Sequence, residues 1–288
     1  MSAAELHILK RGLEGGSVVP YLGPGVLALS KANSATPAAP EVLVQRLVAK
    51  ASVPHKIRNN LTAAAQFVEN FKHRKTVVSL MQEAFSVPVE PTALHQYLAG
   101  LAKLPLIVDV WYDAAMALAL QQHNSSWGQI QGLSQAEHFG QWTQAYRPDG
   151  TAAEEAEVAR WKTLLYKPQG SIAPASNFLV SDSDYVEVLT EIDIQTPIPA
   201  AVQQRRSCKS FLFLGCRFAN QLERTFARQI TKRASSKHWA VLPDAPTKSE
   251  LRFLGERNIQ RIDMPLAEFV ALLTASDAST TSIRAATA

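Results

Sequence analysis

Cysteine is scarce in this 288-residue chain, with only Cys208 and Cys216 present. Two sulfurs cannot build a four-cysteine site, and their spacing fits no paired zinc knuckle, so no structural zinc is expected. Cys216 lies in the apolar run Ser210-Phe-Leu-Phe-Leu-Gly-Cys216 and reads as a small buried filler. Long apolar runs are missing as well. The stretch Leu104-Pro-Leu-Ile-Val108 is strand-sized, far below the roughly 18 residues that span a bilayer. The N-terminal residues lack a basic region followed by an apolar stretch, so no signal peptide and a cytoplasmic protein are expected. Charged residues make up 19%, with a net charge of +4, too mild a balance to argue for nucleic acid. The seven histidines show no metal-ligand spacing, and His95, between Leu94 and Leu98, reads as a packed helix residue. No internal repeat stands out.

What is present is a core and a rhythm. Hydrophobic residues reach 47%, enough for a compact domain. A helix is expected over Ala3–Leu13, then a strand over Ser17–Leu22 running into Gly23-Pro24-Gly25. Ala28 to Pro40, rich in Ala, Ser and Pro, reads as a mobile loop. Glu41 to Phe85 is helical in pattern, and a further helix over Thr92–Leu101 leads into a buried strand, Leu104–Val108. Gln121 to Gly150 reads as a polar segment with scattered tryptophans, and Thr151 with Glu154 as a capping box. The last third alternates strands (Thr163–Lys167, Asn177–Val180, Ser210–Gly215, His238–Leu242, Ile259–Ile262) with helices. One of these carries Phe218, Leu222, Phe226 and Ile230 on one face and Arg224, Arg228 and Lys232 on the other.

Such alternation implies an α/β fold: a Rossmann-like, doubly wound parallel sheet covered on both faces. The insertion between the first two strands, about residues 41–100, is too long for a minimal crossover and should form a helical subdomain. Residues 1–275 read as a single domain, and 276–288 as a tail with no core-forming power. Basic residues crowd Ala201 to Ala240, where Glu223 is the only acid; this is either a solvated face or a site for phosphates or an acidic partner.

The strand–Gly–Pro–Gly turn should lie at the carboxyl edge, where nucleotides bind in such sheets and glycines let backbone N–H groups approach a pyrophosphate. Most two-glycine turns, however, simply reverse the chain. Taken with four further segments, the turn resembles the sirtuin-like domain family, especially its bacterial defence-type branch. The family's opening Gly-Ala-Gly turn is similar to Gly23-Pro24-Gly25-Val26-Leu27, and its Thr-Thr-Asn-Tyr-Asp segment to Asp109-Val110-Trp111-Tyr112-Asp113. Lys167-Pro168-Gln169-Gly170 resembles its Lys-Leu-His-Gly, and Ser183-Asp184-Tyr185 its Asp-Asp-Tyr helix start. Phe213-Leu214-Gly215-Cys216-Arg217-Phe218-Ala219-Asn220 resembles Phe-Leu-Gly-Tyr-Ser-Phe-Ser-Asp. These islands fall in family order, and the resemblance covers roughly Val18 to Phe269.

The resemblance implies NAD or ADP-ribose as ligand, contacted at Gly23, Gly25, Trp111, Gln169, Gly170, Gly215 and Cys216. The departures imply something about catalysis. Trp111 stands where the family has an asparagine that positions water or ribose. Gln169 stands where the family has its general-base histidine, and an amide cannot take a proton near neutral pH. Leu27 replaces a hydroxyl, and Pro24 deletes a backbone N–H. Three readings follow: a sensor or regulatory protein that binds the nucleotide without sirtuin catalysis and meets a protein partner; an interaction module with a closed cleft; and an NAD hydrolase using Asp109, whose carboxylate could stabilise an oxocarbenium.

Overall fold

The computed structural model describes residues 1–194, 198–235 and 237–275, so the expected tail from 276 to 288 lies outside the described residues. Helix α1 (Ala3–Glu14) starts on a Ser2/Glu5 capping box and runs through Gly15 and Gly16 into β1 (Val18–Leu22). Two 3-10 helices follow, Pro24–Leu29 and Lys31–Ala35. Next come α2 (Pro40–Lys50), α3 (Leu61–Lys72), α4 (Arg74–Ala84) and α5 (Ala93–Ala99). The chain returns with β2 (Leu106–Asp109), α6 (Ala115–His123), β3 (Trp127–Gly132), β4 (Thr143–Tyr146), α7 (Glu155–Val158) and β5 (Thr163–Lys167). A small hairpin, β6 (Gly170–Ser171) and β7 (Asn177–Phe178), precedes α8 (Asp182–Ile194) and α9 (Ala200–Arg206). The last elements are β8 (Ser210–Leu214), α10 (Gln221–Ile230), β9 (His238–Val241), α11 (Lys248–Glu256), β10 (Ile259–Ile262) and α12 (Leu266–Thr274).

Eight strands form one sheet in the order β10-β9-β8-β1-β2-β5-β3-β4, parallel throughout except for β4, which pairs antiparallel with β3 at the edge. Successive side chains alternate between two cores, as strand geometry requires. Val19 and Tyr21, Phe211 and Phe213, Leu106 and Val108 face one way, against α8, α9, α10 and α11. Val18 and Leu22, Leu212 and Leu214, and Ile107 face the other, against α1, α5, α6 and α12. The fold is therefore a Rossmann-like, doubly wound α/β sheet. Its order reverses beside β1: the chain moves from β1 to β2 on one side and later adds β8, β9 and β10 on the other. Ligands of such sheets bind where the order reverses, outside the carboxyl ends of the strands.

The insertion is helical, with a core of its own. Leu43, Val44, Leu47, Ala64, Val68, Val77 and Met81 pack together and onto Trp111, Tyr112, Phe178 and Val180. It is narrower than residues 41–100, because α5 packs on the sheet side with α6 and α12. Arg74, at the start of α4, ties the insertion down. Its guanidinium reaches Asp184 at 2.8 Å, Glu137 at 3.0 Å and Glu69 at 3.1 Å, and donates to the Phe178 carbonyl. Bidentate and shared contacts of this kind suit a planar guanidinium.

Several local expectations are corrected. Residues 28–40 are held rather than loose: Asn33 is buried and exchanges two bonds with the backbone of Glu90, at 2.9 and 2.8 Å. Local Ala, Ser and Pro content gave no hint of this, because the partners lie 57 residues away. The segment Gln121 to Gly150 holds β3, buried by tertiary pairing, and the half-buried edge strand β4, both disguised by their Gln-rich sequence. The Thr151/Glu154 capping box does not form; the Thr151 hydroxyl donates to Asp149 at 2.6 Å, and Glu154 takes the N-cap position without a side-chain bond. Asn177–Phe178 pairs only with β6, outside the main sheet. No helix among the described residues is long and apolar enough to cross a membrane.

Candidate functional site

A cavity of about 400 Å³ opens at the carboxyl edge, between the sheet and the helical insertion. Strand ends supply most of its wall: Tyr21 near the end of β1 and Pro24 after it, Val110, Trp111 and Tyr112 after β2, Gln169 after β5, and Cys216 to Asn220 after β8. The insertion contributes Pro40, Glu41 and residues 59–62, while Tyr185 and Glu223 come from α8 and α10. The volume lies in the range of small-ligand sites. Because the order reversal sits at β1 and β8, the cavity occupies the place where a doubly wound sheet offers one.

Trp111, Gln169 and Cys216, three of the positions singled out by sequence, line this cavity, although they are far apart in the chain. The Trp111 indole donates to the Pro37 carbonyl at 2.7 Å and packs on Tyr112 and Phe85, so its ring is a fixed wall. Gln169 is only 9% exposed, and among the described residues its side-chain amide has no hydrogen-bond partner. The buried Cys216 thiol donates to the Leu214 and Tyr21 carbonyls, and burial pushes its pKa well up, which keeps it a thiol and a poor nucleophile.

The glycines do different work from that expected. Gly23 N–H donates to Leu214 O at 2.9 Å and Gly25 N–H to Gly215 O at 3.0 Å, so neither donor faces the cavity. A Cβ on Gly23 would lie 2.6 Å from the Gly215 carbonyl, and one on Gly215 would lie 2.6 Å from Val26 N. These two turns need glycine because they press against each other. Gly170, with φ +82, sits in the β6–β7 hairpin, where a Cβ would meet the Asn177 carbonyl at 2.1 Å.

Asp109 is the last residue of β2 but does not line the cavity. It is buried, accepts from Lys167 Nζ at 2.8 Å, and receives Trp111 N–H at 3.1 Å. Lys167, equally buried, also donates to Asp113 O at 2.8 Å. Desolvation pushes the Asp109 carboxyl up to about 6, against the downward pull of the Lys167 ammonium. The carboxylate thus serves an internal ion pair rather than an open site.

Sequence reasoning missed Tyr21, Tyr185 and Glu223 as site residues. Among the described residues, the Tyr21 hydroxyl has no hydrogen-bond partner although the residue is only 4% exposed. Glu223 is the third helical residue of α10 and closes a capping box with Asn220, with bonds of 2.8 and 3.3 Å. No lysine, arginine or histidine among the described residues pairs with it. Burial pushes its carboxyl up to about 7, with the Asn220 and Ala219 backbone bonds pulling the other way. The spacing Asn220-x-x-Glu223 was the only available signal, and it spoke for a helix start.

These features decide how far a dinucleotide fits. A pyrophosphate needs convergent N–H donors or cations. The turn glycines' donors are taken and Pro24 has none. Arg217, among the described residues the only cation lining the cavity, is held by the buried Glu250 at 3.0 and 3.1 Å. The N-terminus of α10 already carries the Glu223 carboxylate. The glycine turn itself therefore offers no pyrophosphate cradle. Aromatic walls, the Gln169 amide and the Tyr21 hydroxyl line the remaining space. Among the described residues no three His, Cys, Asp or Glu side chains converge as a metal site would require.

Comparison with known proteins bears on the fold and family. A model of the SIR2-like domain matches residues 105–262, more than half of the chain. A solved chain from work on the structural basis for the mechanism and regulation of Sir2 enzymes superposes with a TM-score of 0.40 at 12% identity, covering 98% of this chain and 99% of that one. No curated protein matches. The chain belongs to the SIR2-like domain family.

Proposed function

We propose that this chain binds an NAD-related small molecule in the carboxyl-edge cavity and does not carry out base-driven sirtuin chemistry. The carrying observation is the convergence of Trp111, Gln169 and Cys216 on one cavity beside the β1 turn. The loss of catalysis is supported by chemistry. Among the described residues no histidine lines the cavity, Gln169 cannot accept a proton near neutral pH, and Asp109 is paired with Lys167. The closed-cleft reading is less favoured, since Trp111 stands as a wall rather than a plug. Residues 1–275 act as one unit in this reading, supported by the Arg74 clamp between the insertion and α8. Occupancy would then be passed to a protein partner, making the chain a sensor or regulatory protein.

The test is calorimetric titration of the purified protein with NAD, ADP-ribose and nicotinamide riboside, with nicotinamide release followed in parallel. Binding of at least one in the micromolar range, about −8 kcal/mol, without release above background is the expected result. Release that disappears in Asp109→Ala would revive the hydrolase reading, and no heat from any ligand would remove the binding reading.

A further inference from the structure

Nine basic residues lie between Ala201 and Ala240 against one acid, Glu223, and five of them have partners inside the fold. Arg205 donates to the Pro105, Val158 and Trp161 carbonyls, Arg206 to those of Gln229 and Ile230, and Arg224 to those of Phe218 and Ala219. Arg217 is held by Glu250, and Arg228 faces Glu256 at 3.6 Å. Lys209, Lys232, Arg233 and Lys237 remain. Among the described residues none of these four forms an ion pair; Lys237 lies over the Trp239 ring at 5.2 Å.

The four are neighbours in space. The Arg233 carbonyl accepts from Cys208 N–H at 3.3 Å and the Lys209 carbonyl from Ser235 N–H at 2.8 Å, which laces the turn after α10 to the start of β8. Lys209 stands immediately before β8, Lys237 immediately before β9 and Lys162 immediately before β5, while Lys103 precedes β2. These strands run parallel, so all of these positions fall on the amino edge of the sheet, opposite the cavity. Lys209 is half-buried and the others are exposed. From β9 across β8, β1 and β2 to β5, the row is about 19 Å long at about 4.8 Å per strand. A backbone-held row of one sign without counter-charges attracts a partner that carries the opposite sign.

We propose that the amino edge of the sheet is a docking surface for an acidic segment of a partner protein, whose carboxylates meet Lys237, Lys209, Arg233 and Lys232 and continue toward Lys103 and Lys162. About six extended residues span the row. Two features favour protein over nucleic acid. Single strands need rings on which bases stack. Among the described residues the exposed aromatic rings are Phe71, on the insertion, and Phe139, between β3 and β4; Trp161 and Trp239, beside the cations, pack into the two cores. Lysines also dominate the row, and they lack the planar fork with which arginine grips a phosphate. The surface gives the partner of the regulatory reading a place and a chemistry, and it does not depend on what occupies the cavity.

The experiment follows fluorescence anisotropy of labelled probes titrated with the full chain, without added nucleotide. The probes are an oligoglutamate of about ten residues, long enough to span the row, the matching oligoglutamine, and single- and double-stranded DNA of the same net charge. Wild type is compared with the amino-edge variant Lys209→Glu, Lys232→Glu, Arg233→Glu, Lys237→Glu. A control variant carries Lys31→Glu, Lys56→Glu, Lys75→Glu and Lys248→Glu, the same charge change at exposed positions elsewhere. Melting temperatures check the fold; where charge reversal unfolds the chain, glutamine at the same four positions carries the prediction. The expected result is that oligoglutamate binds with a Kd of about 10–100 μM at low salt, weakens as salt rises, and outcompetes both DNAs and oligoglutamine. The amino-edge variant should lose roughly tenfold or more and the control variant about twofold at most. Tighter binding of either DNA, equal losses in the two variants, unchanged affinity in the amino-edge variant, or no oligoglutamate binding would each overturn the inference. Failure of the cavity to bind an NAD-related ligand would leave it standing.

Discussion

The Lys167–Asp109 pair offers the sharpest test of how the site is built. Both side chains are buried, with 1% and 4% of their side-chain surface exposed, and they meet at 2.8 Å. Replacing Lys167 by methionine keeps the length of the side chain but strands the carboxylate. Removing one partner of a buried pair costs about 3–5 kcal/mol, because a charge is left without compensation. Loss of the bond to Asp113 O acts in the same direction. For a domain of this size that corresponds to a fall in Tm of about 10 °C. The pH dependence follows in sign. Without the ammonium, the folded pKa of Asp109 rises further above its unfolded value of 3.8. The deficit is therefore largest above the variant's raised pKa and shrinks as pH falls toward about 6, below which the carboxyl is protonated in folded wild type and variant alike. Urea unfolding, followed by tryptophan fluorescence with Trp111 two residues from the pair, measures it. The double variant Lys167→Met with Asp109→Asn should recover part of the loss, giving a coupling energy between the sites. A Lys167→Met protein within about 1 kcal/mol of wild type, or a double variant worse than the single one, would refute the account of a structural ion pair.

Other expectations are simpler to check. His95 is buried and accepts the Thr92 N–H on Nδ1 at 3.1 Å, and desolvation pushes its pKa down to about 4 from 6.5. Its stabilising contribution is present above pH 6.5 and lost as pH falls through 4, up to about 3 kcal/mol; His95→Asn should flatten that stretch of the stability–pH curve, and an unchanged slope would rule the imidazole out. Gly215 has φ +66 and no room for a Cβ, so Gly215→Ala should cost at least about 1–2 kcal/mol in chemical denaturation. Gly255, in α11 with nothing within 4 Å of its Cβ position, should gain about 0.5–1 kcal/mol on Gly255→Ala. Equal effects at the two glycines would show that the β1 and β8 turns do not press on each other as described.

Sequence alone determined the parts of this protein that repeat with a local period. The alternating strands, the stripe Phe218–Leu222–Phe226–Ile230 and the helical insertion were legible because each residue's environment follows from its neighbours along the chain. So was the family, since its islands lie at strand ends that a parallel sheet brings to one edge. What the sequence could not determine was which groups at that edge remain free. Asp109 read as a carboxylate poised at a site until Lys167, 58 residues on, was found to claim it. Gly23 and Gly25 read as anion donors until β8 took their N–H groups. Glu223 read only as the lone acid of a basic stretch, yet it caps α10 and lines the cavity. Hydrogen-bond and charge compensation depend on partners remote in sequence, so only the tertiary structure could decide which groups at this edge are already taken and which line the cavity.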